Sequence, residues 1–139
     1  MMPSATVLIA GSAQGPVMRL DAPLSFWGGI DPITSQVMLA GHPQLGQPVA
    51  GTILVLPEPI GSSSSSAILL ELLYRKCAPK ALILGASDAI LPVAAVVARQ
   101  MKWPIIPVLV MPQAPFQTGE IISIASDGMI ERSSTCAKS

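Results

Sequence analysis

A run of five serines between two strongly apolar segments is the feature that most limits how this chain can fold. The serines occupy positions 62–66 and follow Gly61. The preceding segment, 51–57, reads GTILVLP and predicts a buried strand, whereas 67–76 places leucines at helical spacing. Serine is a poor helix-interior residue but a good N-cap, so the run predicts a helix start at Ser62. A flexible polar linker is the alternative, but a linker is rarely this short between two apolar elements.

The second half of the chain continues this alternation of strand and helix. Residues 81–84, ALIL, are predicted as a second strand, 89–100 as a helix capped by Asp88, and 105–111 as a third strand. Strands joined by helices pair in parallel through right-handed crossovers, so the pattern predicts a βαβαβ unit. Ligands bind at the carboxyl ends of such strands, which is where Ser62 follows the first strand.

Shorter strands are predicted on both sides of this unit. Segments 7–10 and 17–20 flank a Gly- and Pro-containing stretch, 11–16, that has the composition of a turn. They predict an N-terminal hairpin or the start of a barrel-like layer. Segments 121–125 and 129–132 predict a closing hairpin with an Asp-Gly turn. The fold class is therefore α/β, with a central βαβαβ unit and flanking short β-strands.

Composition limits the classes of function. The 139 residues fit one domain, 1–139, with a polar tail at 133–139 that is expected to fray. Half the residues are hydrophobic and 12% are charged, which leaves apolar surface for a permanent protein partner. The net charge of zero gives no reason to expect nucleic-acid binding. No apolar run reaches the ~18 residues of a spanning helix and the start lacks a secretory pattern, so we expect a cytoplasmic protein.

Cysteines and the single histidine give little support for a metal site in this chain. Cys77 and Cys136 are isolated in the sequence and belong to no CxxC motif. We interpret Cys77 as a core thiol at the end of a helix. His42 precedes a proline, a context more typical of a structural or exposed histidine than of a catalytic one.

The segment PLSFWGGIDP, residues 23–32, combines two aromatic side chains with glycines and prolines. Phe26 and Trp27 either fill the core or face a partner, where Trp is enriched. The two glycines that follow allow a close backbone approach or a positive φ. Asp31 before Pro32 is typical of a turn, and a functional carboxylate is the alternative.

Together these motifs resemble the small subunit, or swivel domain, of the aconitase X family. The matching stretches are residues 23–32, His42 with Pro43, the serine run 61–66 and 78–81, in this order. The resemblance implies a swivelling β/β/α domain that closes over a large catalytic subunit. It also implies an iron or iron–sulfur centre held by that large subunit, with none bound by this chain alone.

The resemblance also assigns roles to residues. The wider aconitase superfamily carries a Gly-Ser-Ser-Arg type motif in its swivel domain, and its serine moves the substrate proton. Gly61, Ser62 and Ser63 match its first half, whereas Ser64 stands where the superfamily has Arg. Ser62 is carried over as the general base, with Ser63 and Ser64 as oxyanion or substrate contacts. The further candidate substrate contacts are Gly61, Gly29, Asp31 and His42.

Two activities are implied by the family, dehydration of cis-3-hydroxy-L-proline and dehydration of phosphomevalonate. Few basic residues lie near the serines to hold a phosphate, which favours hydroxyproline. A serine can act as the base only if helix amides stabilise its alkoxide. A non-catalytic module that binds an anion at the same helix end is one alternative. A phosphohistidine carrier using His42 is another, although the sequence around His42 lacks the expected Gly-Gly-x-x-Ser/Thr pattern.

Overall fold

The computed structural model describes residues 5–57, 63–86, 90–103 and 106–132. Within those residues the chain forms one mixed sheet of seven strands, with the order β1-β5-β4-β3-β2-β6-β7. The strands are β1 (Thr6–Ile9), β2 (Ala13–Arg19), β3 (Ile53–Leu56), β4 (Ala81–Leu84), β5 (Val108–Val110), β6 (Ile121–Ile124) and β7 (Ile130–Arg132). The helical segments are α1 (Phe26–Gly29), α2 (Ser63–Tyr74) and α3 (Ile90–Gln100).

The central unit runs β3-α2-β4-α3-β5, and its three strands are parallel. The predicted βαβαβ unit and the α/β class are therefore confirmed. All residues of β3 and β4 are buried, as expected for strands covered on both faces. The helix predicted to follow an N-cap at Ser62 begins at Ser63 and ends at Tyr74, two residues before the predicted end, and the helix predicted at 89–100 matches α3 closely. Asp88, the predicted cap of α3, lies outside the described residues.

The core is divided between the two faces of the sheet. Alternate side chains of β3 and β4, such as Leu54 and Leu82, pack with both helices on one face. Their neighbours, such as Ile53 and Ile83, pack on the other face with Phe116 and with the β6–β7 hairpin. The arrangement places β6 and β7 in a layer opposite the helices. In the described ranges no helix has both the length and the apolar character needed to cross a membrane.

The predicted N-terminal hairpin is wrong. Strand β1 pairs antiparallel with β5 at one edge of the sheet, whereas β2 lies beyond β3 and pairs parallel with it. The expected turn at 11–16 belongs largely to β2, whose residues Ala13 to Pro16 pair antiparallel with β6 and whose residues Val17 to Arg19 pair with β3. The Gly and Pro in this stretch therefore mark the place where β2 changes partner, which composition alone does not distinguish from a turn.

The predicted C-terminal hairpin is confirmed. Strands β6 and β7 pair antiparallel, and Gly128 takes a φ of 92° in the Asp-Gly turn between them. A side chain at Gly128 would also meet Val7, since a Cβ there would lie 2.7 Å from Val7 Cγ2. The hairpin returns to the N-terminal half of the chain through the pairing of β6 with β2.

Candidate functional site

The first turn of α2 is held to the segment before it by a buried serine. Ser65 is fully buried, and its Oγ lies 3.0 Å from Ser25 Oγ. The backbone N–H of Trp27 also donates to Ser65 Oγ, at 3.4 Å. These contacts bring the end of the serine run against the start of α1. Ser65 therefore connects two segments that are forty positions apart in the chain.

Ser62, the candidate base, lies three positions before Ser65 in the sequence, and both Ser62 and Gly61 are outside the described residues. Ser63 and Ser64 are the first two residues of the 12-residue helix α2. The first N–H groups of a helix have no intrahelical acceptor and carry the positive end of the helix dipole. The roles assigned to the three serines stay predictions. The helix start itself falls where the serine run indicates.

The α1 segment is a tight turn rather than a regular helix, because Trp27 has a ψ of 121° and Gly28 a φ of 81°. Phe26 is fully buried and packs in the helix-side core. Trp27 is 61% exposed. The core alternative is confirmed for Phe26, whereas the contact of Trp27 with a partner stays a prediction. The fold leaves no room for a side chain at Gly29, since a Cβ there would lie 2.6 Å from Leu24 Cδ1.

Asp31 caps the turn that follows α1. Its Oδ1 accepts hydrogen bonds from the backbone N–H of Ile33, at 2.8 Å, and of Thr34, at 3.4 Å. The hydrogen bond from Ile33 is the largest cause that lowers the pKa of this carboxyl below its usual value of 3.8. The carboxylate is therefore charged near neutral pH and stabilises a local turn. Its contact with substrate stays a prediction.

His42 is buried, with 6% of its surface exposed, and both ring nitrogens have partners. Nδ1 accepts from the backbone N–H of Gln44 at 3.0 Å, so Nε2 carries the proton and donates to Ala22 O at 3.1 Å. The Gln44 side chain in turn donates to Asp21 Oδ2 at 2.7 Å. His42 thus ties two parts of one loop layer, which we define as residues 21–49. Its predicted contact with substrate is not tested by these bonds.

The carboxyl ends of β2 and β3 border a cleft of about 210 Å³. The sequence interpretation missed this cleft, because its charged residues lie at the end of a strand that was predicted to be in a hairpin. The only available signal was the alternation of polar and apolar residues around Leu20. Its lining residues are Arg19, Leu20, Asp21, Ala22, Pro23 and Pro57.

The connections that lead into α2 and α3 touch each other at this edge of the sheet. The Gly85 N–H donates to Leu56 O at 2.8 Å. A Cβ at Gly85 would collide with the carbonyl of Pro57, so the residue must be glycine for the chains to approach this closely. The backbone entering the serine run is therefore packed against the backbone leaving β4.

The described residues do not provide a ligand set for a metal. Among them, no three His, Cys, Asp or Glu side chains come together. Cys77 is half-buried and packs beside the helix-side core, with its Sγ 3.9 Å from Pro32 O. Cys136 lies outside the described residues. An iron or iron–sulfur centre does not fit the described part of this chain.

Comparisons with known proteins agree on one family. The family model "Aconitase X swivel domain" matches residues 3–132. The chain is 42% identical over 112 residues to a cis-3-hydroxy-L-proline dehydratase of Hypocrea jecorina, which covers 81% of this chain and 19% of that protein. It is 39% identical to a phosphomevalonate dehydratase small subunit of Thermococcus kodakarensis, covering 65% of this chain and 68% of the relative.

A solved structure has the same fold. The crystal structure of aconitase X from Thermococcus kodakaraensis, in its holo-form, superposes with a TM-score of 0.81 at 32% identity. The match covers 94% of this chain and 98% of the other. The chain spans less than a fifth of the length of the hydroxyproline dehydratases that it matches. From the match to the family model and from this similarity of structure, the chain belongs to the aconitase X swivel domain family.

Proposed function

We propose that this chain is the small subunit of a hydro-lyase that dehydrates cis-3-hydroxy-L-proline. The single observation that carries the proposal is its 42% identity to the Hypocrea jecorina dehydratase over 81% of this chain. The parallel strands β3, β4 and β5 support it, because the serine run follows β3 in the sequence and ligands bind at the carboxyl ends of such strands. The cytoplasmic location expected from the sequence stays a prediction.

The partner in this proposal is a large catalytic subunit. The relatives named as small subunits support it, as does the exposed apolar surface of the domain. Large exposed apolar side chains are found in the loop layer and on α3. Those in the loop layer are Trp27, Ile33, Met38, Leu39 and Leu45. Because the described residues offer no ligand set, we assign the iron or iron–sulfur centre to the large subunit.

The proposed role of Ser62 is to remove the proton on the α-carbon of the substrate. A proton next to a carboxylate is weakly acidic, and an ordinary serine hydroxyl is a weak base. The amide end of α2 begins at the next residue, and it would stabilise a serine alkoxide and lower the cost of forming it. Ser63 and Ser64 would then donate hydrogen bonds to the negative charge that develops on the substrate carboxylate. Ser65 anchors the turn that carries them.

The test is the activity of the chain reassembled with its large subunit. Replacing Ser62 with Ala should leave the complex intact and reduce kcat for cis-3-hydroxy-L-proline by about 10²–10⁴-fold, the usual contribution of a general base. Ser126→Ala, in the exposed β6–β7 turn, is a matched control that should keep full activity. A Ser62→Ala enzyme within a few-fold of the wild type would refute the role of this serine.

Phosphomevalonate is the second candidate substrate. The chain matches small subunits of phosphomevalonate dehydratase from several archaea, which favours this substrate. The matches cover 68–70% of the length of those subunits. The same reassembled enzyme should be assayed with both substrates. Turnover of phosphomevalonate alone would replace the hydroxyproline assignment. Full activity of the large subunit without this chain would instead favour a non-catalytic anion-binding module.

A further inference from the structure

The cleft at the carboxyl ends of β2 and β3 is lined by residues that precede the first turn of α2 in the sequence or contact it in the fold. On one side it is lined by Pro57, from which the chain runs on into the serine run. On the other it is lined by Ala22 and Pro23, two residues before Ser25, which contacts Ser65 on α2. The cleft is therefore bordered by the end of β3 and by the segment that holds Ser25 against α2.

Arg19 is held in the cleft wall by one nitrogen only. Its Nη1 donates to Ala114 O at 2.7 Å and to Phe116 O at 3.3 Å, which uses both hydrogens of that nitrogen. The other two guanidinium nitrogens, Nε and Nη2, donate no hydrogen bond to any described residue. Those two nitrogens form the edge of a guanidinium that binds a carboxylate through two parallel hydrogen bonds. The two carbonyls fix the plane of the group in advance.

Asp21 provides the opposite charge on the same wall. Asp21 lies in the bend just after β2 and lines the cleft together with Arg19, whereas Leu20 between them is buried in the core. One oxygen of Asp21, Oδ2, accepts from Gln44 Nε2 at 2.7 Å, which orients the carboxylate. Arg19 and Asp21, both in the described chain, form no ion pair with each other. They are the two charged residues that line the cleft.

We propose that this cleft recognises the zwitterionic amino-acid group of the substrate, with Arg19 binding the carboxylate and Asp21 the ring ammonium. Its volume of about 210 Å³ is smaller than the ~300–1,000 Å³ typical of drug-sized ligands and suits a small amino acid. A phosphate would be repelled by Asp21. This inference rests on the proposed function and deepens it by naming residues that select an amino acid over a phosphorylated acid.

The test is equilibrium binding of two probes to the complex with the large subunit, measured by calorimetry. L-proline and cyclopentanecarboxylate share a five-membered ring and a carboxylate, but only proline has the ammonium. The wild type should bind proline about tenfold more tightly. Asp21→Asn, which keeps an acceptor for Gln44, should reduce this preference to less than about twofold. Arg19→Gln should weaken both probes about tenfold or more, and Arg19→Lys should restore part of the loss.

Two matched variants control for charge and for loop stability. Arg132→Gln removes an arginine whose Nη2 donates to Pro115 O, in the same loop that Arg19 contacts, but which does not line the cleft. Asp127→Asn removes an acidic charge at the β6–β7 turn. Both should bind the two probes as the wild type does. Thermal unfolding of each variant shows whether it is folded. If Arg19→Gln does not fold, the result for Asp21→Asn alone decides the proposal.

Binding and turnover separate this inference from the proposed function. If the complex dehydrates hydroxyproline but Asp21→Asn keeps the full preference for proline, the cleft assignment is wrong and the proposed function stands. If the complex dehydrates neither candidate substrate, the proposed function fails, while a preference for proline that depends on Asp21 still supports the cleft. Equal affinity of the wild type for both probes, or binding of neither, overturns the cleft assignment.

Discussion

The α/β unit and the loop layer are stabilised in different ways. Strands β3 and β4 are buried along their whole length and joined by a regular ladder of backbone hydrogen bonds. The described part of the loop layer has two isolated bridges, Ile30 with Val37 and Gln36 with Pro48. The rest of its order comes from scattered backbone hydrogen bonds, such as those from Val37 N–H to Gln47 O and from Met38 N–H to Gly29 O, from a few buried apolar side chains, and from polar side chains that bond to the backbone.

These side-chain bonds each fix one local conformation. Ser35 has a positive φ of 68° and is buried, and its Oγ donates to Cys77 O at 3.0 Å. Asp31 and His42 fix two further turns of the layer. The comparison teaches that the α/β unit depends mainly on apolar volume, whereas the layer depends also on single polar contacts. Substitutions in the two regions should therefore differ in size and in their dependence on pH.

The largest effect is expected in the α/β unit. Leu72 on α2 is fully buried, and Leu72→Ala should lower the free energy of unfolding by about 2–5 kcal/mol through lost burial and a cavity. Val96→Ala on the exposed side of α3 is the control and should change it by less than about 0.5 kcal/mol. Urea titrations of both variants measure the difference. Similar losses of unfolding free energy in the two variants would contradict the difference in burial between Leu72 and Val96.

A smaller effect is expected at His42 in the loop layer. His42→Ala leaves the buried N–H of Gln44 and the carbonyl of Ala22 without their partner, which should cost about 1–3 kcal/mol. Gln47→Ala, at an exposed position of the same layer, should cost less than about 0.5 kcal/mol. The same urea titrations apply. An unchanged midpoint for His42→Ala would mean that the layer does not depend on this contact.

The smallest effect is expected at Asp31 and depends on pH. The pKa of the Asp31 carboxyl is lowered in the folded protein from its usual value of 3.8. The ionised carboxylate therefore stabilises the fold at pH values above 3.8. This stabilisation is lost as the pH falls from 3.8 through the lower pKa of the folded state. The wild type should be more stable than Asp31→Asn at neutral pH, and the difference should shrink at pH below about 3.8. Thermal unfolding from pH 7 to 3 measures this. A constant difference over that range would contradict the electrostatic cause.

The α/β unit could be predicted because buried parallel strands and their helices have continuous apolar patterns. Residues 81–84 and 90–100 show this most clearly. The N-terminal hairpin was predicted because strands that are neighbours in sequence often pair. The prediction was wrong because no local pattern shows that β1 and β2 lie apart in the sheet.

The site could be predicted only in part. The serine run indicated the start of α2, but the burial of Ser65 depends on Ser25, a residue distant in sequence. Pairing Arg19 with Asp21 in one cleft also requires knowing that β2 ends beside β3. Tertiary neighbours of this kind leave no periodic signal in a single sequence.

The pairing of early strands with late ones also affects how the protein folds. Thr6 pairs with Val110 and Ala13 with Ile124, so each of these ladders closes a loop of nearly the whole described length. Closing such loops costs chain entropy before the contacts are gained, and a topology of this kind folds slowly. The sheet should therefore acquire its two outer flanks last, after the locally connected strands have assembled.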